Sequence, residues 1–258
     1  MIEHLKSPHL SCPHGFLTFK RVNAGKQKSS ALFAFSEFDS DSQIMRNKKL
    51  VSDSLKLKEN VKILMIRQVH SNKVLVLDNL ANTVMPDKNY EGDAIVTKIP
   101  NLAISIVTAD CAPILFLEPV EKIIGCAHAG WRGALAGITD NVVNEMVRLG
   151  ANIDRITAII GPCISAKNYE VREDFREIFM KKDESCTELF TKKEDGKYTF
   201  DLPGYIVNRL KNVGIKNTHW INLCTYARPD LFHSHRRSCH NSEASFKRNI
   251  SIISLPQN

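Results

Sequence analysis

From residue 61 onward, short apolar runs rich in β-branched residues alternate with polar stretches, a pattern that predicts β-strands. The predicted strands cover 61–66, 74–77, 93–97, 102–107, 114–117, 123–127 and 156–160. The first sixty residues have a weaker pattern, with turn-type composition at 26–30 and 39–42 and a short helix predicted from 41 to 50. Strands therefore dominate the middle of the chain.

Two segments have the spacing of amphipathic helices. Apolar residues recur every three or four positions over 135–149 and over 202–213, and Gly150 and Gly214 follow these segments. Glycine suits the left-handed conformation that ends many helices. A third helix is predicted over 172–181. Helices interspersed with strands predict a mixed α/β architecture built in layers.

Composition adds expectations about size, partners and compartment. The chain has 258 residues, of which 43% are hydrophobic, so we expect a single domain over 1–258. The net charge of +7 comes from dispersed basic residues, so no nucleic-acid partner is expected. No leader pattern or long apolar window is found, so we expect no membrane association. Seven singly spaced cysteines predict a reducing compartment, the cytoplasm. The oligomeric state stays open.

Three short segments place metal-capable side chains at the ends of apolar runs. The segments are 67–71, 108–113 and 127–133, and they contain His70, Cys111 and His128. Two imidazoles and one thiolate can hold a zinc ion and leave its fourth position open for water or substrate. Spacing alone leaves Cys126 as a competitor of Cys111, because Cys126 lies two residues before His128 and shares its face of a strand.

The surroundings of these side chains suggest further chemistry. Pro113 lacks a backbone donor, so the chain is expected to turn or change its pairing near Cys111. Gly130 to Gly133 lead into a predicted helix, whose free N–H groups and positive dipole end favour an anion, and Arg132 adds a guanidinium. An anionic substrate group could therefore lie beside the metal.

Seven segments, in order from about Val61 to the C-terminus, together form a longer pattern. They are 68–70, 92–94, 108–114, 128–133, 160–164, 168–171 and 234–237. This pattern closely resembles the laccase-domain family, formerly labelled polyphenol oxidases and now described as zinc-containing purine nucleoside phosphorylases. The resemblance implies that His70, Cys111 and His128 are the metal ligands, and it thereby selects Cys111 over Cys126.

The resemblance also implies a fold and an activity. The family fold is a layered α/β/β/α sandwich with mixed β-sheets. The implied activity is phosphorolysis of adenosine, inosine and S-methyl-5′-thioadenosine, with adenosine deamination as a second activity. Purine nucleosides and inorganic phosphate would be the partners and Zn²⁺ the cofactor, with copper as the alternative metal. Residues 1–60 diverge from the family pattern, so substrate-contacting loops there are expected to differ.

With the family activity in view, individual residues receive predicted roles. The catalytic candidates are Cys111, Asp110 and Arg132, and the substrate-binding candidates are Arg67, Asp93, Cys163, Tyr169 and Arg237. Asp110 and Asp93 can transfer protons or orient a ligand histidine. A turn carboxylate is the alternative for Asp93, core packing for Cys163 and Tyr169, and a solvated basic tail for Arg237.

Other functions remain open at this point. A copper polyphenol oxidase would need further histidines, for which the late candidates are His219, His233, His235 and His240. A metal-free hydrolase could use Cys111 as nucleophile and His128 as base. A catalytically silent regulator could keep the zinc for stability. The usual zinc nucleobase deaminases are disfavoured, because their His-x-Glu and Pro-Cys-x-x-Cys motifs are missing from this sequence.

Overall fold

Two β-sheets packed face to face form the body of the molecule. The computed structural model describes residues 2–21, 40–78, 90–243 and 247–255. The strands are β1 (Ile2–Leu5), β2 (His14–Arg21), β3 (Lys62–Leu64), β4 (Val74–Leu77), β5 (Ala94–Thr97), β6 (Leu102–Thr108), β7 (Ala112–Glu118), β8 (Ile123–Ala129), β9 (Thr157–Ile160), β10 (Glu170–Val171), β11 (Phe190–Lys192), β12 (Tyr198–Phe200), β13 (Asn217–Trp220) and β14 (Asn249–Ser254). The α-helices are α1 (Asp41–Leu55), α2 (Trp131–Ala136), α3 (Ile138–Arg148), α4 (Glu173–Met180), α5 (Leu202–Asn212) and α6 (His235–His240).

Both large sheets are mixed. One has the order β1-β2-β14-β6-β3 and the other the order β13-β9-β7-β8-β5-β4, while β10, β12 and β11 form a small third sheet. In the five-stranded sheet only β3 and β6 are parallel. In the six-stranded sheet the parallel pairs are β13 with β9 and β4 with β5. Between β3 and β7 the chain crosses between the sheets three times, from β3 to β4, from β5 to β6 and from β6 to β7.

Three apolar clusters hold the layers together. Between the two sheets, Ile104 of β6 and Leu115 of β7 belong to one buried cluster. Helices α3 and α5 cover the other face of the six-stranded sheet, where Val142 and Ile206 are wholly buried. Helix α1 covers the outer face of the five-stranded sheet through residues such as Val51. The layer order is therefore α/β/β/α, which confirms the predicted fold class.

This layering explains why the middle of the sequence reads as continuous apolar runs. Every residue of β7 and of β8 is buried, since helices lie on one face of these strands and the second sheet lies on the other. Each fully buried aliphatic side chain contributes roughly 1.5–3 kcal/mol relative to an exposed one. The predicted strands in this region were accordingly located with small errors at their ends.

The N-terminal region is more ordered than its pattern predicts. Strands β1 and β2 both belong to the five-stranded sheet, and α1 continues to Leu55 rather than ending at residue 50. A capping box fixes the start of α1, because the Ser40 hydroxyl accepts from the Gln43 N–H and the Gln43 side chain accepts from the Ser40 N–H. The turn predicted at 26–30 lies outside the described residues.

One predicted helix is in fact two. The segment predicted over 135–149 is divided at Gly137, which has φ +90° and serves as the last cap of α2 and the first cap of α3. Only glycine adopts this left-handed conformation without strain. The break lets α2 start directly after β8, beside the candidate site. Among the described segments, no helix is long and apolar enough to cross a bilayer.

Candidate metal centre and adjoining cleft

Cys111 lies where the chain passes from one sheet to the other. Strand β6 ends at Thr108 in the five-stranded sheet, and β7 begins at Ala112 in the six-stranded sheet. Asp110 has φ +82°, an uncommon conformation for this residue type, within the short connection. Pro113 is the second residue of β7, close to the start of the strand, where a missing N–H disrupts the least pairing. The thiol is thereby held at the rim of the space between the sheets.

Two histidines converge on this thiol. His70 lies in the crossing from β3 to β4 with φ +57°, and His128 lies in β8 directly opposite Pro113. Ligand atoms of His70, Cys111 and His128 all lie within 4.8 Å of one another, and the two imidazole centroids are 4.7 Å apart. Cys126 is wholly buried in the apolar cluster between the sheets and does not belong to this group.

Asp93 links the His70 segment to His128 through hydrogen bonds. Its Oδ1 accepts from the His128 Nδ1 at 2.7 Å and from the His70 N–H at 3.0 Å. Its Oδ2 accepts from the Ser71 N–H at 2.6 Å, the Ser71 hydroxyl at 2.7 Å and the Val69 N–H at 3.3 Å. One buried carboxylate therefore fixes both the ring of His128 and the backbone that carries His70. Because Nδ1 of His128 is engaged, its Nε2 is the nitrogen available to a ligand.

The electrostatics of the group favour an ionised thiol. Burial opposes the thiolate, but the charge and hydrogen bonds of His128 and His70 outweigh it and lower the pKa of Cys111 to about 6. Burial likewise opposes protonation of His128, yet the Cys111 charge and the Asp93 hydrogen bond raise its pKa to about 9. Burial opposes ionisation of Asp93 as well, and the bonds from His128 and Ser71 lower its pKa to about 2. Without a metal, these shifts favour a thiolate and an imidazolium, with the carboxylate of Asp93 beside them.

Gly130 leaves room for this arrangement. A Cβ atom added at Gly130 would lie 2.9 Å from the Cys111 Sγ and 3.0 Å from the His70 Nδ1. Its backbone is extended, with φ −72°, so the requirement is one of space and not of conformation. At Gly133, an added Cβ would lie 2.8 Å from the Ser71 carbonyl oxygen. The two glycines let the start of α2 pack closely against the group.

The donor set suits a metal ion. Two imidazole nitrogens and one thiolate are ligands that zinc and copper both accept. A histidine that donates its other nitrogen to a carboxylate is the usual support of a metal-bound imidazole, and His128 with Asp93 has this form. Within the described residues, His70, Cys111 and His128 are the one group of three or more such side chains close enough to share an ion.

Asp110 and Arg237 are both bonded to the segment that closes the site from the C-terminal side. The Asp110 carboxylate accepts from the Thr225 hydroxyl at 2.6 Å, the Ser234 hydroxyl at 2.9 Å and the Arg236 N–H at 2.6 Å. The Arg237 guanidinium donates to the carbonyl oxygens of residues 225, 226 and 232. These contacts tie the connection before Cys111 to α6 and the loop that precedes it.

A cleft of about 470 Å³ opens beside the group. Its walls include Trp131, which follows Gly130, together with Tyr169 and Phe175, and these rings pack on one another with centroids 5.0–5.9 Å apart. Burial raises the pKa of the Tyr169 phenol, and the charge of Cys111 adds to this effect. The charged residues of the cleft are Glu170, Arg172, Asp174, Lys197 and Arg236.

The other residues predicted for the site have different surroundings. Arg67 is exposed and forms an ion pair with Glu91. Arg132 is also exposed, with its guanidinium carbon 4.4 Å from the Trp131 centroid. Cys163 is completely buried in the core and burial raises the pKa of its thiol. Of the late histidines, His219 stacks on His9 with centroids 3.5 Å apart.

Sequence reasoning assigned no role to most residues of the cleft. Arg172, Asp174 and Phe175 follow directly after the Tyr169 segment, so their position in the chain was the available signal. Lys197 directly precedes β12, far from the other cleft residues along the chain, and nothing in the sequence around it indicates the cleft. The cleft exists because β10 and β12 pair and bring these stretches together.

Comparison with known proteins agrees with this architecture. The family model described as multi-copper polyphenol oxidoreductase laccase matches residues 15–255. The chain belongs to this laccase-domain family. The crystal structure of the Bacillus licheniformis hypothetical protein YfiH has the same laccase-domain fold, with a TM-score of 0.80 and 26% identity, and the match covers 94% of this chain and 92% of that one.

Curated relatives of this laccase-domain chain carry the name purine nucleoside phosphorylase. The Rickettsia conorii protein is 34% identical over 83% of this chain and 85% of its own length. The Deinococcus radiodurans protein is 31% identical over 98% of this chain and 93% of its own length. The likeness therefore extends over most of the laccase domain, including the segments that carry His70, Cys111 and His128.

Proposed function

We propose that this chain is a zinc-dependent purine nucleoside phosphorylase. Its substrates would be adenosine, inosine and S-methyl-5′-thioadenosine, which phosphate would cleave to the free base and ribose 1-phosphate or methylthioribose 1-phosphate. Deamination of adenosine to inosine and ammonia would be a second activity. The observation that carries the proposal is the group of His70, Cys111 and His128 beside an aromatic, cationic cleft, in a chain similar to proteins of that name.

The residues of the site have distinct tasks in this proposal. His70, Cys111 and His128 would hold the zinc, which would supply Lewis acidity at the reacting atoms. Asp93 keeps the ligands oriented through its five hydrogen bonds. Asp110 positions the Cys111 connection by accepting from three donors, and is proposed to act through that connection rather than on the substrate.

Phosphorolysis mainly requires positioning. An oxygen of phosphate forms a bond to the anomeric carbon while the bond from that carbon to the purine nitrogen breaks, and the electron pair leaves with the nitrogen, which then takes up a proton. Aromatic walls such as Trp131 and Tyr169 suit a purine ring. The guanidinium of Arg132 and the cations of the cleft favour an anionic co-substrate close to the sugar.

A nucleoside panel with and without phosphate tests this function, with base release and inosine formation followed by chromatography. Wild-type protein should release base only when phosphate is present, and Cys111→Ala should lose that activity. Cys239→Ala is the matched control, because Cys239 is an exposed thiol outside the group and should be dispensable. Base release without phosphate, or unchanged turnover in Cys111→Ala, would contradict the proposal.

The identity of the metal needs its own measurement, since the family description names copper. Metal analysis of the native protein should give zinc at one ion per chain. Copper-loaded protein should show no copper-dependent oxidation of a phenol above that of free copper. A copper-dependent oxidase rate that disappears in Cys111→Ala would instead favour the polyphenol oxidase function.

A metal-free hydrolase is the second candidate, and a specific arrangement favours it. Cys111, His128 and Asp93 stand in the order of a nucleophile, a base and an orienting carboxylate, and the thiol has a pKa of about 6. Complete removal of metal with a chelator distinguishes the two functions. Purine nucleoside turnover should vanish on chelation and return with zinc, whereas activity that survives chelation would support the hydrolase.

A further inference from the structure

The cleft beside the metal group carries an imbalance of charge that points to particular residues for its anionic ligand. Within the described residues, the side chain of Arg172 makes no ion pair or hydrogen bond, although it lines the cleft. Arg236 lines the same cleft, donates one N–H to the Glu170 carbonyl oxygen and lies 5.5 Å from the Tyr169 ring centroid. Two arginines of the cleft lining therefore have guanidinium donors to spare.

The remaining charges of the cleft leave this imbalance in place. The Glu170 carboxylate is bound by Lys193 and by Lys197, at 2.7 Å for Lys197, so the charge of Lys197 is already paired. Asp174 lines the cleft and accepts a hydrogen bond from the N–H of Phe175. One carboxylate thus stands against two guanidinium groups. Guanidinium groups bind phosphate through pairs of parallel hydrogen bonds, and a carboxylate suits the hydroxyl groups of a sugar.

The position of these groups relative to the metal ligands is also informative. Arg236 donates its backbone N–H to Asp110, which adjoins Cys111. Its guanidinium lies over the ring of Tyr169, which lines the same cleft. This cation–π contact holds the guanidinium against the wall of the cleft, and its N–H donors other than the one bound to Glu170 are available to a ligand. An anion held by Arg236 would therefore lie within the cleft and close to the metal group.

We propose that Arg172 and Arg236 form a phosphoryl-binding subsite in this cleft. The subsite rests on the proposed function and specifies where its anionic group binds. The chemistry that it recognises is a phosphoryl dianion, supplied either as free phosphate or as the phosphoryl group of a phosphorylated nucleoside. Asp174, which lines the same cleft, is the carboxylate proposed to accept from sugar hydroxyl groups.

Calorimetric titration of the full-length, zinc-loaded protein with inorganic phosphate tests the subsite without requiring turnover. Arg172→Gln and Arg236→Gln should each weaken phosphate binding by roughly tenfold, about 1.4 kcal/mol. Lys193→Gln is the matched control, because it removes a positive charge that binds Glu170 from outside the cleft, and it should change the affinity by less than about twofold. Equal effects of all three substitutions, or no binding of phosphate by the wild-type protein, would overturn the subsite.

A parallel titration with adenosine 5′-monophosphate distinguishes the two sources of the phosphoryl group. Competition with phosphate and the same loss in Arg172→Gln and Arg236→Gln would assign the subsite to a phosphorylated nucleoside. Binding of phosphate alone would assign it to the free anion. Phosphate binding that depends on both arginines, in a protein that cleaves no nucleoside, would refute the proposed function and keep the subsite. Phosphorolysis with an unchanged KM for phosphate in both variants would refute the subsite alone.

Discussion

Replacement of Asp93 by asparagine is the most direct test of how the metal group is organised. The substitution keeps the shape of the side chain and removes its charge and one acceptor oxygen. If the amide group stands at the Oδ1 position, it faces the N–H of His70 and the Nδ1 of His128; if it stands at Oδ2, it faces the N–H groups of Val69 and Ser71. At least two buried donors lose their acceptor in either orientation.

The magnitude follows from these lost bonds. A hydrogen bond to a charged group contributes about 1.5–3 kcal/mol, so the loss of two should lower the free energy of unfolding of the metal-free protein by about 3–6 kcal/mol. Loss of an outer partner of a metal-bound histidine typically weakens metal binding by about 10–100-fold. Asp93→Asn should therefore reduce both stability and zinc affinity. Urea unfolding measures the first quantity, and competition with a chromophoric zinc chelator measures the second.

Asp140→Asn provides the matched control for this substitution. Asp140 lies on α3, outside the metal group, and accepts two hydrogen bonds from Arg209, at 2.6 Å and 3.2 Å. Its replacement should lower stability and leave zinc affinity within about twofold of the wild-type value. Wild-type zinc affinity in Asp93→Asn would refute the reasoning, because it would mean that the ligands are oriented without the carboxylate.

Three further predictions follow from the same region. Gly130→Ala should lose most of the zinc affinity, measured by chelator competition, because the added Cβ would lie 2.9 Å from the Cys111 Sγ. Gly150→Ala is the control: Gly150 has φ +110° and no atom lies near its added Cβ. This control should lower stability by about 1 kcal/mol and leave zinc affinity unchanged. Asp110→Asn should keep most of the kcat, because its remaining oxygen can accept from the N–H of Arg236, whereas Asp110→Ala should lose both kcat and stability. A complete loss of kcat in a stable Asp110→Asn would show that the carboxyl group acts on the substrate. The pKa of the Asp93 carboxyl is lowered from 3.8 to about 2, so above pH 3.8 this group should stabilise the metal-free protein by about 2 kcal/mol. This contribution should disappear as the pH falls through 2. Urea unfolding across this pH range should show the loss of stability in the wild type and no corresponding loss in Asp93→Asn.

The sequence predicted best those elements whose burial is uniform. Strands such as β7 and β8 are buried on both faces, so their continuous apolar runs predict a strand without knowledge of the tertiary contacts. Strand β14 was not predicted, although it lies at the centre of the five-stranded sheet, because buried serines such as Ser251 and Ser254 interrupt its apolar residues. Hydrogen bonding to the neighbouring strands, which the sequence does not display, satisfies the backbone of such a segment.

The candidate site likewise has a part that the sequence predicts and a part that it does not. His70, Cys111 and His128 could be proposed because each stands at the end of an apolar run, but spacing alone did not separate Cys111 from Cys126. The crossing between the sheets makes that distinction, since it brings Cys111 to the rim and leaves Cys126 inside the sandwich. The role of Asp93 as the shared acceptor of both histidine segments, and the cleft with Arg172 and Phe175, depend on contacts between distant stretches of chain.

Two of the crossings between the sheets have a consequence for how the molecule holds together. His70 belongs to the crossing from β3 to β4, Cys111 belongs to the crossing from β6 to β7, and His128 ends β8 of the six-stranded sheet. An ion bound by all three would act as a clasp across the open rim of the sandwich. By thermodynamic linkage, separation of the sheets at this rim would weaken ion binding, and ion binding would oppose separation of the sheets by the same free energy.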